Sequence, residues 1–240
     1  MYIANSFDEI DFDLINSKLK NGCKLRLDIG TSICSPVTKF WLDNCPEDMF
    51  VIGFDPNPDC VYKDNFWDGR YMNIPNTFKT HPRTDSYYHV IGALDNVPEK
   101  TKTKFYKTTV NVGCSSLMKP IIQNITGCSL DEVIDVEVFS AADLLKRINI
   151  DLIEMVKIDA QGKDLDIVKG FGDFIKKVVF LDVESDSSMY YEGAPNDDKI
   201  NSEIAKLGFS LYAYSGNNIR YKNNQIELIP EGFNNITGAL

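Results

Sequence analysis

The fold is decided by one stretch near the N-terminus, Lys24-Leu-Arg-Leu-Asp-Ile-Gly-Thr-Ser-Ile-Cys-Ser-Pro36. Its first half alternates as a strand does and runs into a turn at Gly30. Ser35 followed by Pro36 is typical of the N-cap and the first position of a helix. A strand, a turn of small residues and a helix in this order form the first unit of a parallel α/β sheet.

The same alternation continues along the chain. Strands are predicted at Met49–Asp55, Tyr87–Leu94, Ile134–Phe139, Met155–Asp159 and Val178–Val183, and in the tail at Phe209–Tyr214, Ile219–Lys222 and Gln225–Ile229. Helices are predicted at 11–20, after Ser35, after Ser140 and after Asp159, and residues 103–118 suggest an inserted β-hairpin. The sequence therefore predicts an α/β fold with a Rossmann-like, doubly wound, mostly parallel sheet that antiparallel strands close.

Composition limits the classes of function. The 240 residues hold 25 Lys and Arg against 35 Asp and Glu, a net charge of −10, which disfavours a nucleic-acid partner. No apolar run reaches the ~18 residues of a membrane span, and we expect no signal peptide, because the first residues lack a basic region and an apolar region. The cysteines form no C-x-x-C pair, so we expect no metal. We expect a cytoplasmic protein with one domain over 1–240, in which residues 1–22 are an N-terminal helical extension.

The turn after the first strand has the spacing of G-x-G-x-x-G, but Ser32 and Ser35 replace the second and third glycines. In dinucleotide-binding folds the second glycine lets the backbone approach a pyrophosphate. S-adenosylmethionine has no pyrophosphate, so that demand is relaxed for it. Asp28 is then expected to contact its cationic ammonium end, and Gly30 lets the turn pass under the ligand. The alternative is an ordinary strand-edge turn.

A second acidic residue, Asp55, ends the next apolar strand. It follows Asp28 by 55 − 28 = 27 positions, near the ~20-residue spacing of carboxylates that hold ribose hydroxyls. The alternative is a solvated aspartate in the turn Asp55-Pro-Asn-Pro58. Both motifs together favour a ligand that contains a nucleoside.

Longer motifs carry a family resemblance. They are Leu27-Asp-Ile-Gly30, Val51–Pro58, Ala93-Leu-Asp95 with Phe105-Tyr106, Asn111-Val-Gly-Cys-Ser-Ser-Leu117, Val156–Gly170, Tyr191-Glu-Gly193 and Leu207-Gly-Phe209. Together they resemble the FkbM-type methyltransferases over residues 25–229. Two positions depart from that pattern: Thr31-Ser32 replaces the usual Ala-Asn, and Gln161 stands where Glu is frequent.

The resemblance implies a class I methyltransferase fold with a seven-stranded sheet, S-adenosylmethionine as cofactor, and methyl transfer to a hydroxyl of a sugar, glycan or small natural product. The residues that it assigns to the cofactor, together with those read from the turns, are Asp28, Gly30, Thr31, Ser32, Asp55, Pro56, Asn57, Ala93, Leu94 and Asp95. On the acceptor side it places Asn111, Ser115, Ser116 and Gln161.

A methyltransferase that acts on a hydroxyl needs a base. Asp159 is the first candidate because it follows a short buried strand, at the edge of the sheet where ligands bind. A structural role as a helix cap is its alternative. Glu184, at the end of the next strand, is the second candidate. We expect His89 to be a core residue and His81 to decorate the surface.

Two other classes of function remain. A nicotinamide-dependent oxidoreductase is disfavoured by the missing glycines and by the lack of a Tyr-x-x-x-Lys motif. A non-catalytic nucleoside-binding or scaffold module would keep Gly30 and Asp55 but would have no working base.

Overall fold

The computed structural model describes residues 2–33, 35–45, 47–63, 65–66, 74–109, 112–126, 128–185, 187–215 and 218–227. Its centre is a sheet of eight strands, labelled here by their order along the chain. In space they run β1 (Tyr2–Ala4), β6 (Tyr87–Ile91), β3 (Met49–Asp55), β2 (Lys24–Ile29), β10 (Ile153–Ile158), β11 (Val178–Glu184), β13 (Asn218–Asn223) and β12 (Phe209–Ser215).

The sheet is mixed and mostly parallel, as expected. The strands from β1 to β11 in this order are paired in parallel, and β13 is antiparallel to both β11 and β12. The predicted number of seven strands is wrong, because β1 adds an eighth at the edge beside β6. A strand of three residues is too short to show a period in the sequence.

The predicted strand Tyr87–Leu94 is two strands in two sheets. It breaks at Gly92, after which β7 (Ala93–Leu94) joins a second sheet of three strands. The other two are β8 (Thr101–Thr109) and β9 (Ser129–Phe139). A Cβ on Gly92 would lie only 3.0 Å from the Phe139 ring, so a larger residue here would have to displace that ring slightly.

The predicted hairpin at 103–118 is also wrong. β8 pairs along its whole length with β9, and its described contacts with the predicted partner include an isolated bridge between Tyr106 and Ser116 and hydrogen bonds between Thr108 and Ser115. Part of that hairpin, 110–111, lies outside the described residues. In the tail, 225–227 are not a strand and 228–229 are not described. A further small pair consists of β4 (Asn65–Phe66) and β5 (Ile74–Pro75).

Seven α-helices are described. They are α1 (Phe12–Lys20), α2 (Pro36–Asn44), α3 (Asp59–Tyr62), α4 (Thr77–Thr80), α5 (Ala141–Leu145), α6 (Asp164–Gly170) and α7 (Asp197–Lys206). The predictions of α1, α2, α5 and α6 are confirmed, and Ser140 caps α5 by accepting a hydrogen bond from Asp143 N. Ser35 precedes α2 but makes no capping bond. Within the described part of the chain, no helix is long and apolar enough to cross a membrane.

Helices cover both faces of the main sheet. Along β3, Phe50, Ile52 and Phe54 pack into the larger core, together with side chains of α1, α5, α6 and α7. Met49 and Val51 pack into a second core beneath α2 and α3. Because successive strand residues point to opposite faces, these two cores lie on opposite sides of the sheet. This arrangement leaves the carboxyl edge of the parallel strands open for a site.

Candidate active site

A cavity of about 590 Å³ opens at the carboxyl edge of the parallel strands, within the usual size range for small-ligand pockets. One side, called here the near rim, consists of the turns after β2 and β3, residues 30–33 and 54–57. The opposite side, called the far wall, consists of segments 112–126 and 187–194. Between them lie Asp159, Gln161 and Glu184, where β10 and β11 end.

The near rim keeps the shape of a glycine turn with few glycines. At Gly30, with φ +75°, a Cβ would overlap the carbonyl oxygen of Asp159 on the neighbouring strand, so only glycine fits. Ser32 and Ser35 both adopt left-handed conformations, with φ +57° and +44°, at the positions of the second and third glycines. The loop therefore retains the left-handed backbone of a glycine turn, although this conformation destabilises each serine by about 1–3 kcal/mol.

Asp55 connects the two turns of the near rim. Its Oδ2 accepts a hydrogen bond of 2.8 Å from Ser32 N, and its Oδ1 accepts one of 2.9 Å from Asn57 N. Burial raises the pKa of Asp55, and these two backbone donors oppose that rise. The residue is only 7% exposed, so it is not a solvated turn aspartate. Each carboxylate oxygen can accept a second hydrogen bond, which leaves capacity for a ligand hydroxyl.

Three residues predicted to bind the cofactor do not line the cavity: Asp28, Thr31 and Asp95. Asp28 is fully buried and accepts hydrogen bonds from Thr38 Oγ1 (2.6 Å) and Thr38 N (3.2 Å). Its side chain lies on the face of the sheet that α2 covers, so it anchors α2 instead of facing a ligand. Asp95 pairs at 2.9 Å with Lys163, which does line the cavity.

Lys157 is a buried cation that was not among the predicted site residues. Its Nζ donates a 2.6 Å hydrogen bond to Gly30 O and lies 3.4 Å from Asp28 Oδ1 and 3.6 Å from Asp159 Oδ2. Burial lowers the pKa of Lys157, but the neighbouring carboxylates of Asp159 and Asp28 offset this, and the pKa is raised overall. The signal was present, since a lysine inside an otherwise apolar buried strand needs partners.

The two candidate bases share one amide group. Gln161 Nε2 lies 2.7 Å from Asp159 Oδ1 and 2.7 Å from Glu184 Oε2. Burial, followed by the charges of Asp159 and Asp164, raises the pKa of Glu184 to about 10. The raised pKa of Glu184 favours its protonated form at neutral pH, and it is Asp159 that lies beside Lys157.

The far wall contacts this cluster through Tyr191 and Ser116. Tyr191 Oη lies 2.6 Å from Gln161 Oε1 and 2.9 Å from the carbonyl oxygen of Cys114. Ser116 Oγ donates a 2.7 Å hydrogen bond to the carbonyl oxygen of Gln161. Ser115 also lines the cavity, whereas Asn111, the fourth residue predicted on the acceptor side, lies outside the described residues.

Neither histidine lines the cavity, and His89 is a core residue as expected, but the side chain of His81 is only 6% exposed, so the prediction that it decorates the surface is wrong. His89 is fully buried, with Nδ1 3.1 Å from Tyr87 Oη, and burial lowers its pKa to about 3. His81 lies 2.9 Å from Asp43 Oδ1. Within the described ranges, no group of three His, Cys, Asp or Glu residues could hold a metal ion.

The cavity, with its carboxylate-bearing strand ends, falls within the region that matches a known family. Residues 28–211 match the methyltransferase FkbM domain. The chain belongs to the FkbM methyltransferase family. A search of curated proteins and a search of solved structures each gave no match.

The matched region of this FkbM domain begins at Asp28 and ends within β12, so it includes the near rim, the far wall and the strand ends between them. Membership supports methyltransferase activity for the chain. The resemblance predicted from the short motifs is thereby confirmed at the level of the family.

Proposed function

We propose that this FkbM domain is an S-adenosylmethionine-dependent O-methyltransferase whose acceptor is a hydroxyl of a sugar, a glycan or a small natural product. The observation that carries the proposal is the placement of Asp55 and Asp159 around one cavity. Asp55 can accept hydrogen bonds from the hydroxyls of a ribose, and Asp159 can accept the proton of an alcohol. Both lie at the carboxyl edge of the sheet, where ligands bind in open α/β folds.

The residues of the near rim fit this cofactor. Asp55 keeps acceptor capacity for both ribose hydroxyls and would repel a 2′-phosphate. Gly30 presents no side chain, and Ala93 and Leu94 supply apolar surface for a base. The strand order, with the first strand of the motif at its centre, supports the doubly wound class I methyltransferase fold. When bound, the cofactor supplies a methyl group on a positively charged sulfur, which is already a strong electrophile.

The chain must then orient an alcohol and take its proton. Asp159 is the better of the two bases, because Glu184 already holds a proton at neutral pH. Lys157 lies beside the second oxygen of Asp159 and steadies its negative charge. Orientation in such a cavity contributes up to ~7–11 kcal/mol in ideal cases, and a positioned base adds ~10²–10⁴-fold.

The far wall suits an uncharged acceptor with one apolar face. Tyr190 and Ile125 of the far wall, with Phe105 of β8, present apolar surface to the cavity, and Ser115 adds a hydroxyl, whereas the hydroxyl of Ser116 donates to the Gln161 carbonyl. The one lysine among the described lining residues, Lys163, is already paired with two carboxylates, at 2.7 and 2.9 Å. An anionic acceptor would find no free cation in this described lining.

We also propose that the whole chain is one domain. The N-terminal 22 residues, predicted as an extension, contribute β1 to the main sheet and Ile15 to its larger core. A segment that completes the sheet and is fully buried in the core folds with the rest of the chain.

The test is methyl transfer from labelled S-adenosylmethionine to a panel of neutral glycosides, glycan extracts and hydroxylated natural products. We expect label in a base-stable ether in at least one neutral acceptor, and calorimetric binding of S-adenosylhomocysteine without binding of NAD. Tighter binding of NAD would overturn the proposal. Binding of S-adenosylhomocysteine without transfer to any acceptor would favour the non-catalytic module.

A further inference from the structure

Gln161 lies at the centre of the cavity, between the two candidate bases. Its side-chain nitrogen carries two hydrogens, and the 2.7 Å distances to Asp159 and Glu184 give one hydrogen to each carboxyl group. A donor shared in this way fixes the separation and the facing of the two groups. Gln161 contacts Asp159 from one side only. The Asp159 side chain remains one-third exposed, towards the cavity.

The orientation of the amide is determined by its neighbours. The single hydrogen of the Tyr191 hydroxyl is shared between Gln161 Oε1 at 2.6 Å and the carbonyl oxygen of Cys114 at 2.9 Å, and with the oxygen end of the amide towards Tyr191 the nitrogen end faces the carboxyl groups. Ser116 binds the main-chain carbonyl of Gln161. The backbone at Gln161 has φ +55°, a conformation that costs a residue other than glycine of order 1–3 kcal/mol. The contacts with Tyr191 and Ser116 therefore hold Gln161 in this conformation despite its unfavourable backbone energy.

The positive charge near Asp159 and Glu184 is enough to balance only one ionised carboxyl group. Among the described residues, the ion pairs of this cluster involve a single cation, Lys157, which is shared with Asp28. The other titratable groups that act on the pair are Asp164, Cys114 and Tyr191, and none of them brings positive charge. The side chain of Cys128 interacts with that of Cys114. Two carboxylates on one amide would repel each other in this buried setting.

We propose that Gln161 is a positioning residue that joins Asp159 and Glu184 into one unit with a single negative charge and one retained proton, and that Tyr191 sets its orientation. The unit would present Asp159 to the acceptor hydroxyl, a role that rests on the proposed function. Its proton content does not depend on that function. A glutamate at position 161 would remove the shared donor and add a third carboxyl group.

The first experiment counts the proton without any substrate. Infrared spectra of the full chain, recorded from pH 5 to 10, would follow the band of a protonated carboxylic acid in wild type, Glu184→Gln, Gln161→Leu and Gln161→Glu. Burial raises the pKa of Asp164 to about 7, so the decisive comparison is made at pH 9, where we expect the difference spectrum between wild type and Glu184→Gln to show the loss of one buried acid. In Gln161→Leu the band should persist to a higher pH by one unit or more, because the lost N–H groups stabilised the charged form.

The second experiment uses stability against pH as an independent readout. A folded-state pKa of about 10 for Glu184, above that of an unfolded glutamate, means that the folded chain binds the extra proton between these values. Stability contributed by that proton is present at low pH and is lost as pH rises through this window. We expect the melting temperature of wild type to fall more steeply between pH 6 and 9 than that of Glu184→Gln.

In methyl transfer, Gln161→Leu should lower kcat at least tenfold, with the affinity for S-adenosylhomocysteine within threefold of wild type. Gln161→Glu should move the acidic limb of the pH profile of kcat upward. Tyr191→Phe, which removes only the orienting hydroxyl, should show the same change as Gln161→Leu to a smaller degree. It also serves as the test if Gln161→Leu does not fold.

The inference fails if Glu184→Gln keeps the full acid band of wild type at pH 9, or if Gln161→Leu and Tyr191→Phe both titrate as wild type does. Unchanged kcat and pH profile in a folded Gln161→Leu would also overturn the positioning role. Absence of methyl transfer by wild type, with the band behaving as expected, would instead overturn only the proposed function.

Discussion

The two sides of the cavity are built in different ways. In the near rim, the hydrogen bonds of Asp55 reach Ser32 and Asn57, 23 and 2 positions away along the chain. In the far wall, Tyr191 reaches back 77 positions to Cys114 and 30 to Gln161. The near rim is thus a property of two consecutive strand-turn units, whereas the far wall forms only once distant segments have met.

This difference separates two tasks within one cavity. A local, strained and well-anchored turn suits the proposed cofactor. A wall assembled from distant loops can change without disturbing the turns. We therefore expect changes in the near rim to alter cofactor affinity and stability, and changes in the far wall to alter acceptor affinity.

The largest effect is expected between the two sides, at Asp159. Asp159→Asn keeps the shape but removes the basicity, so kcat should fall ~10²–10⁴-fold. The affinity for S-adenosylhomocysteine should stay within a few-fold, as measured by calorimetry. Glu184→Gln is the matched control with a smaller loss, because Glu184 is already uncharged. Full turnover in Asp159→Asn with loss in Glu184→Gln would move the base to β11.

In the near rim, Asp55→Ala would remove the two charge-assisted hydrogen bonds to the ribose that we propose, each worth ~1.5–3 kcal/mol. The affinity for S-adenosylhomocysteine should fall at least ~100-fold. The variant also frees the Ser32 and Asn57 N–H groups, so its melting temperature should be compared with that of Asp55→Asn, which keeps an acceptor oxygen. Affinity within a few-fold of wild type would show that Asp55 serves only the turn.

Gly30 tests how tightly the near rim is packed against β10. Gly30→Ala should destabilise the fold by about 3 kcal/mol, because its Cβ would overlap the Asp159 carbonyl in a left-handed conformation. Gly22→Ala is a matched control, since Gly22 also has positive φ but has nothing within 4 Å of a Cβ. It should cost roughly 1–2 kcal/mol. Equal losses in chemical denaturation would contradict the close approach.

Tyr190 tests the far wall. Its ring is 36% exposed and lines the cavity, so Tyr190→Ala should raise the acceptor KM by ~3–10-fold, the equivalent of one aromatic contact. Cofactor affinity should not change. Met189→Ala, next in the chain and more exposed but not among the cavity-lining residues, is the control. A parallel loss of cofactor affinity would show that the two sides are not separate.

The smallest effect is expected at Ser32. Ser32→Gly relieves a left-handed serine but adds freedom to the unfolded chain, so the fold should gain less than about 1 kcal/mol. Ser35→Gly gives the same relief but loses the contact of Ser35 Oγ with Tyr87 Oη at 3.2 Å, so it should be the less stable of the two. The reverse order in thermal unfolding would contradict this reading of the turn.

Much of the fold was predictable because it depends on local patterns. The strand at Met49–Asp55 has the bounds predicted for it, and Ser140 caps its helix as expected. Pairing between distant segments was not predictable. The partner of β8 is β9, which lies beyond the intervening segment, and no local period reports such a choice.

The sequence by itself determined the alternation of strands and helices, the glycine at position 30, the carboxylate at the end of β3 and the family to which the chain belongs. These follow from periodicity and from short motifs, which act over a few neighbouring residues. Tertiary structure alone decided that Asp28 turns to α2, that Lys157 lies beside Asp159, and that Gln161 joins two carboxyl groups under Tyr191. The reason is physical: burial, charge balance and shared hydrogen bonds depend on which segments meet in space.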